Sequence, residues 1–287
     1  MKTTQLRHPT IIFGTAGVPA QCQERSSLSG IRCVRQLGLD AMELEFVRGC
    51  RMSSALAEEC AKAAKENNVI LSAHASYYLN LLSLEKPKYA KTVHELLTTA
   101  RVLEKAGGGR LVFHPGFYLG KSKDEAMQLM KNALGEVLEK MAAESLDAVR
   151  LSPETTGKPT AFGSLEELME LSAEFGWKKL AITIDWAHVH ARDNARIKGI
   201  ETYRQLLDAL EKSCGREALW SLHCHMSGIN FSSKGELNHL PMECGVPPFP
   251  PLAQALHEFN CGGVIISESP NIEKDALWMK KTYATTQ

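Results

Sequence analysis

Eight short runs rich in β-branched and apolar residues alternate with longer amphipathic stretches along the whole chain, and this alternation constrains the fold more than any other feature. The runs lie at 10–13, 41–46, 69–73, 110–113, 148–151, 180–184, 219–225 and 263–267. Between them, apolar residues recur at three- and four-residue spacing, most clearly at 55–66 and 126–143, which reads as helix. Asp124 and Ser164 stand where N-caps of two such helices are expected, and SLEEL at 164–168 begins like a capping box. Eight strand-then-helix units without a break predict a closed parallel (β/α)₈ TIM barrel rather than an open sheet. The 287 residues suit one barrel, and no Pro/Gly/Ser-rich linker divides them, so a single domain over 1–287 is expected. The longest irregular stretch is 226–251, with five prolines, on the rim after the seventh strand.

Lys+Arg and Asp+Glu both number 33, which excludes a strongly basic coat but not a local basic groove. The eight cysteines form no CxxC pair and are read as reduced thiols of a cytoplasmic protein. No 18-residue apolar run and no leader-like apolar segment is seen, so neither a membrane nor secretion is expected.

In this fold the reactive groups sit where strands end and βα loops begin. Strand three ends in His74, strand four in His114 and strand five in Glu154. Strand six ends in Asp185 with His188 following, strand seven in His223 and His225, and strand eight in Glu268. A lone histidine at such a position is commonly just a satisfied polar residue. Six successive strands delivering His, Asp or Glu to one face are a different matter, because converging imidazoles and carboxylates need a cation among them. Imidazole nitrogen favours zinc, manganese or iron over magnesium or calcium. With His239 included there are too many donors for one four-coordinate ion. Glu154, from the middle strand, is the simplest bridge between two ions about 3.5–4 Å apart.

The phrases HASYYLNL, VFHPG, ETTG…FG, IDWAH, HMSG and ISESP, taken in order from His74 to Glu268, resemble the endonuclease IV family of apurinic/apyrimidinic (AP) endonucleases. FGTAG at 13–17 resembles that family more loosely. The resemblance implies a barrel holding three zinc ions. His74, His114 and Glu154 would hold the first; Glu154, Asp185, His225 and Glu268 the second; His188 and His239, with an acid, the third. The family often takes that acid from an Asp two residues before the histidine. Position 237 here is Leu, and Glu236 is the substitute expected. His225 is preferred to His223 because HMSG carries the resemblance, and His190 is expected to point elsewhere. The resemblance also implies DNA contacts: Tyr77 and Tyr78 wedging into the base stack, and Arg48 and Arg51 on phosphate. Lys121, Lys158 and Lys234 are expected on the same rim. The implied activity is zinc-dependent hydrolysis of the phosphodiester 5′ to an abasic site in damaged duplex DNA, a DNA-repair nuclease with Glu154 central to catalysis and no organic cofactor. The rival is a sugar isomerase or epimerase of the xylose-isomerase-like barrels, which would use Glu154, Asp185, His225 and Glu268 with one or two ions and leave His74, His114, His188 and His239 unexplained. A passive binding protein would have no use for such a cluster.

Overall fold

A computed structural model describes residues 9–286, so the ends of the expected 1–287 domain, at 1–8 and 287, lie outside the described residues. The eight barrel strands are β1 (Ile11–Ala16), β2 (Ala41–Glu45), β3 (Ile70–His74), β4 (Arg110–Phe113), β5 (Arg150–Pro153), β6 (Thr183–Asp185), β7 (Leu222–Met226) and β8 (Gly263–Ser267). Their order is β5-β4-β3-β2-β1-β8-β7-β6, all neighbours parallel. Two single parallel bridges, Leu151 to Leu180 and Glu154 to Thr183, join the outer strands and complete the ring. This is the TIM barrel the alternation predicts.

The helices are α1 (Ser27–Gln36), α2 (Ser54–Asn67), α3 (Lys86–Lys105), α4 (Lys123–Ala143), α5 (Leu165–Phe175), α6 (Trp186–Arg192), α7 (Ile200–Cys214), α8 (Arg216–Trp220), α9 (Phe249–Glu258) and α10 (Glu273–Thr285). Helix α5 opens as expected: Ser164 Oγ accepts from Glu167 N at 3.2 Å, and Glu167 Oε2 accepts from Ser164 N at 2.9 Å. Helix α4 corrects the expected cap. It begins a turn earlier than Ala126, with Ser122 as the cap and Glu125 closing the box, while Asp124 lies in the first turn. There its charge still favours the positive end of the helix dipole. Strand β7 also starts later than expected, because Arg216–Trp220 forms a helical turn before it.

The stretch 226–251 is more regular than its prolines suggest. Gly228–Ser232 pairs antiparallel with Gly235–Leu240, and a short 3₁₀ turn, Met242–Cys244, follows. Gly235 has φ of 92°, and a Cβ there would lie 2.3 Å from the Gly157 carbonyl oxygen, so the hairpin turn presses on the β5 loop through a residue that must be glycine. The expectation of eight free thiols is also corrected: Cys22, in the loop after β1, is disulfide-bonded to Cys33 on α1. Folding brings their Cα atoms to 6.1 Å, a proximity that spacing alone does not reveal. The other six cysteines are free. Among the described residues no helix is long and apolar enough to cross a membrane.

Side chains alternate along each strand, so Glu43 with Glu45, Ser72 with His74, and His223 with His225 share the inner face. TIM-barrel interiors are usually layers of Val, Ile and Leu. Here Glu43, Ser72, Ser152, Thr183 and His223 are buried instead. Where β1 meets β2, a Cβ on Gly14 would fall 2.3 Å from the Ala41 carbonyl oxygen. We expect Gly14→Ala to destabilise the barrel by about 1–3 kcal/mol, the usual overpacking cost. A lowered urea midpoint at unchanged slope is the check, and an unaltered midpoint would contradict this packing.

Candidate metal centre

Each expected metal ligand reaches the C-terminal mouth of the barrel from a strand end or the loop that follows. Glu154 is fully buried at its centre. Its Oε2 lies 2.9 Å from His74 Nε2 and 3.1 Å from His114 Nε2. The other ring nitrogen of His74 donates to the Ala75 carbonyl at 2.7 Å, which fixes the ring and leaves Nε2 facing inward. Glu154 Oε1 lies 3.4 Å from His225 Nδ1 and 3.1 Å from His188 Nδ1. Glu268 Oε1 lies 3.1 Å from His225 Nδ1. Asp185 caps α6, accepting from His188 N at 2.8 Å with Oδ1 and leaving Oδ2, 3.5 Å from His188 Nδ1, without a hydrogen bond.

A third grouping lies at the edge. His188 Nε2 is 3.2 Å from His239 Nε2 and 3.4 Å from Glu236 Oε2. The 228–240 hairpin delivers both Glu236 and His239, and Gly157 leaves room for them: a Cβ there would sit 2.7 Å from Glu236 Oε2. Asp185 also belongs to a compact group with His188 and His239, so two acids approach this pair.

Among the described residues four groups have donor atoms close enough for an ion: His74, His114 and Glu154; Glu154, Asp185, His225 and Glu268; Asp185, His188 and His239; and Glu43, His223 and His225. The first three are built wholly from ligands expected from the sequence, and the fourth adds Glu43 to the two histidines of strand seven. Strand β2 supplies what sequence reading missed. Glu43 and Glu45, two apart in AMELE, face inward, and that spacing on a strand beside His74 was the available signal.

The donor geometry fits divalent ions. Ligands about 2.1 Å from a tetrahedral ion lie roughly 3.4 Å from one another, and the donors of each group lie within 4.8 Å of one another, with His74–Glu154 at 2.9 Å, His225–Glu154 at 3.4 Å and His188–Asp185 at 3.5 Å. Glu154 Oε1, Asp185 Oδ2 and both ring nitrogens of His225 are buried without a directed hydrogen bond, although opposite charges stand close by. Atoms that crowd together without aiming at one another are arranged for a shared cation.

Electrostatics carries the same signature. Burial alone would raise the Glu154 carboxyl, but His114 and His225, with hydrogen bonds from His114 and His188, hold it well below the usual range. Burial pushes against protonation of His225 and His188, yet the surrounding carboxylates raise both well above the ordinary imidazole value. His74 overcomes burial through its hydrogen bond to Glu154 and is raised to about 10. Burial and then His225 act in opposite directions on Glu268, which settles at about 2. Glu45, pushed up mainly by burial, reaches about 8.

A cavity of about 380 Å³ opens over the centre, lined by Tyr77, His114, His188, Glu236, His239 and Glu268 among others. Of the expected DNA-contacting residues, Tyr77 leans over the cluster, its ring 5.1 Å from His74 and 5.6 Å from His114. Tyr78 turns outward, 79% exposed. Arg48 and Arg51 are exposed on the loop after β2. Lys158 lines the cavity, Lys234 is exposed at the hairpin turn, and Lys121 is tied to the Leu82 carbonyl at 3.0 Å. His190 lies away from the cluster, edge-on to Phe231 at 5.1 Å. His223 sits deeper in the barrel, 2.9 Å from Glu43.

Residues 31–282 match the xylose isomerase-like TIM barrel family, and the chain belongs to it. An uncharacterized protein of Methanocaldococcus jannaschii is 37% identical over 96% of this chain and 98% of its own length. A probable endonuclease 4 of Akkermansia muciniphila is 27% identical over 57% of this chain, and the match spans 57% of that relative's length. The motif resemblance to endonuclease IV is thus borne out at the level of distant relatedness. Among solved structures, a D-tagatose 3-epimerase-like protein superposes with TM-score 0.72 at 22% identity, covering 95% of this chain and 97% of that one. Endonuclease IV of Thermus thermophilus gives 0.71 at 20% identity, with the same coverage of both chains. At these identities the superpositions establish the barrel fold.

The raised histidine has a measurable consequence for the metal-free protein. Its protonated form is favoured in the folded state, so its contribution is complete below the unfolded value of about 6.5. It is lost as pH rises through about 10. In excess chelator the thermal midpoint should therefore fall across this window, and fall less in His74→Asn. Identical profiles for the two proteins would contradict the assignment.

Proposed function

We propose that the protein is a metal-dependent AP endonuclease of the endonuclease IV type, which hydrolyses the phosphodiester 5′ to an abasic site in duplex DNA. One observation carries this reading. The four donors Glu154, Asp185, His225 and Glu268 would suffice for a sugar isomerase centre, yet His74 and His114 converge on the same Glu154 and His188 pairs with His239. Four extra imidazoles argue for more than one ion, with zinc favoured and manganese or iron acceptable to the same donors. Glu236 and Asp185 are the acids that would complete the outer site.

When bound, such ions would neutralise charge on a phosphoryl group and acidify a water molecule. The chain's own groups do the rest. Glu154 holds donors of two sites at a fixed separation. His74, locked by the Ala75 carbonyl, presents one nitrogen inward. Tyr77 roofs the cavity and limits water entry, while Tyr78 and Phe117, exposed at the mouth, can stack on bases. Arg48, Arg51 and Lys158 would meet the phosphate backbone. Water oxygen adds to phosphorus, the bond to the 3′-oxygen breaks, and that oxygen takes a proton. The products are a 3′-hydroxyl and a 5′-deoxyribose phosphate. An abasic nucleotide leaves the stack more cheaply than a paired one, which favours damaged DNA.

The test is a labelled duplex carrying one tetrahydrofuran abasic analogue, which resists β-elimination, beside an undamaged control. Incision 5′ to the analogue, lost on chelation and restored by Zn²⁺ or Mn²⁺, is expected. Glu154→Gln should reduce it by more than the roughly 10–100-fold typical of losing a supporting partner. Tyr78→Ala should weaken binding of the abasic duplex by about 1–3 kcal/mol, one base-stacking contact, with less effect on turnover. The second reading is a sugar epimerase, favoured by the likeness to the D-tagatose 3-epimerase-like barrel and by a cavity of about 380 Å³. Absence of incision by protein that carries its metals, with turnover of a small ketose, would establish that reading instead.

A further inference from the structure

Below the ligands, the barrel interior holds a carboxylate that takes no part in the proposed hydrolysis. Glu43 is fully buried on β2. The β2–β3 register sets it beside Ser72, one inward position deeper than Glu45 and His74. Ser72 Oγ donates to Glu43 Oε2 at 2.6 Å, and His223 Nε2 lies 2.9 Å from the same oxygen. The other oxygen, Oε1, lies 2.8 Å from Nε2 of His225, a close charge contact rather than an aligned hydrogen bond. The opposite nitrogen of that ring, Nδ1, is the one facing Glu154 and Glu268. Burying a carboxylate in place of the usual aliphatic layer costs several kcal/mol unless it is paired and held. Two partners grip one oxygen, and the second oxygen is left for a single ring nitrogen.

We propose that Glu43 is the positioning residue of the metal centre: gripped by Ser72 and His223, it orients the His225 ring so that Nδ1 faces the cluster. This rests on the reading of the cluster as a divalent-metal centre. The role follows from imidazole chemistry. A neutral ring has one N–H and one lone pair, and the negative charge of a carboxylate 2.8 Å from Nε2 favours the proton on that nitrogen. The lone pair is then on Nδ1, between Glu154 and Glu268. The fixed ring loses no rotational freedom on binding, and its basicity rises. A simple ion pair between Glu43 and His223 would explain the burial of both, but not why the free oxygen meets His225. It would also predict no change in metal affinity when Glu43 is neutralised.

The experiment is calorimetric titration of chelator-stripped protein with Zn²⁺, together with the visible absorption of the Co²⁺-loaded form. Wild type, Glu43→Gln and Ser72→Ala are compared after circular dichroism shows them folded. Glu43→Gln should weaken one class of site about 10–100-fold while the remaining sites keep their affinity, and should shift the Co²⁺ bands. Ser72→Ala, which removes only one grip on Glu43, should give an intermediate loss, and it decides the matter if Glu43→Gln does not fold. Unchanged Zn²⁺ affinity and Co²⁺ spectrum in the folded variants would overturn the proposal. Failure of the wild type itself to bind Zn²⁺ or Co²⁺ would instead overturn the metal-centre reading on which it rests.

Discussion

The mouth of this barrel depends on one buried carboxylate. Glu154 receives His74 and His114 on one oxygen and faces His188 and His225 with the other. A single acid cannot satisfy four imidazoles by hydrogen bonding, and Asp185, Glu236 and Glu268 crowd the same space. In so buried a setting such an array is tolerable only if protons or metal ions supply positive charge. Protons on His188 and His225 serve instead when metal is absent, since the carboxylates around them raise both rings above the ordinary imidazole value. Every connection around the mouth is arranged to keep these groups together against their mutual cost.

That demand reaches downward. An aliphatic plug would normally fill a barrel of this kind, whereas Glu43, Ser72, His223, Ser152 and Thr183 form hydrogen-bonded pairs across neighbouring or facing strands. The apolar packing that stabilises the fold lies chiefly between the strands and the helices, where Phe13, Leu96, Leu134, Leu168 and Leu252 are buried. The division is physical: outward strand faces meet helices and must be apolar, while inward faces near the mouth must hold polar donors in place. Rigid strands carry the central ligands, and a hairpin carries the outer pair, Glu236 and His239. Their position is therefore set by the contact of Gly235 with Gly157 rather than by the barrel ladder.

Several of the site's residues could be read directly. Strand ends are punctuated by His74, His114, Glu154, Asp185 and Glu268, and the barrel's symmetry converts those sequence positions into one spatial cluster. Other features stayed hidden for identifiable reasons. The hairpin at 228–240 lay within a segment whose prolines suggested irregular chain. The cap of α4 lay two residues before the acid that drew attention, because Ser122 and Glu125 close a reciprocal box that Asp124 cannot. The Cys22–Cys33 bridge depends on a loop folding back on α1, which spacing does not encode.

By itself the sequence determined the alternation of strand and helix, the parallel barrel, and the donor types at the strand ends. These are local properties, written in periods of two and 3.6 residues and in the identity of the residue at each boundary. Only the tertiary structure decided that Glu154 stands at the centre of four imidazoles, that His225 faces the cluster while His223 turns to Glu43, and that two acids approach His188 and His239. Those facts depend on barrel stagger and on which oxygen meets which nitrogen within about 3 Å, a scale that hydrogen-bond geometry sets. A linear pattern fixes which residues share a face, but not which of their atoms meet across it.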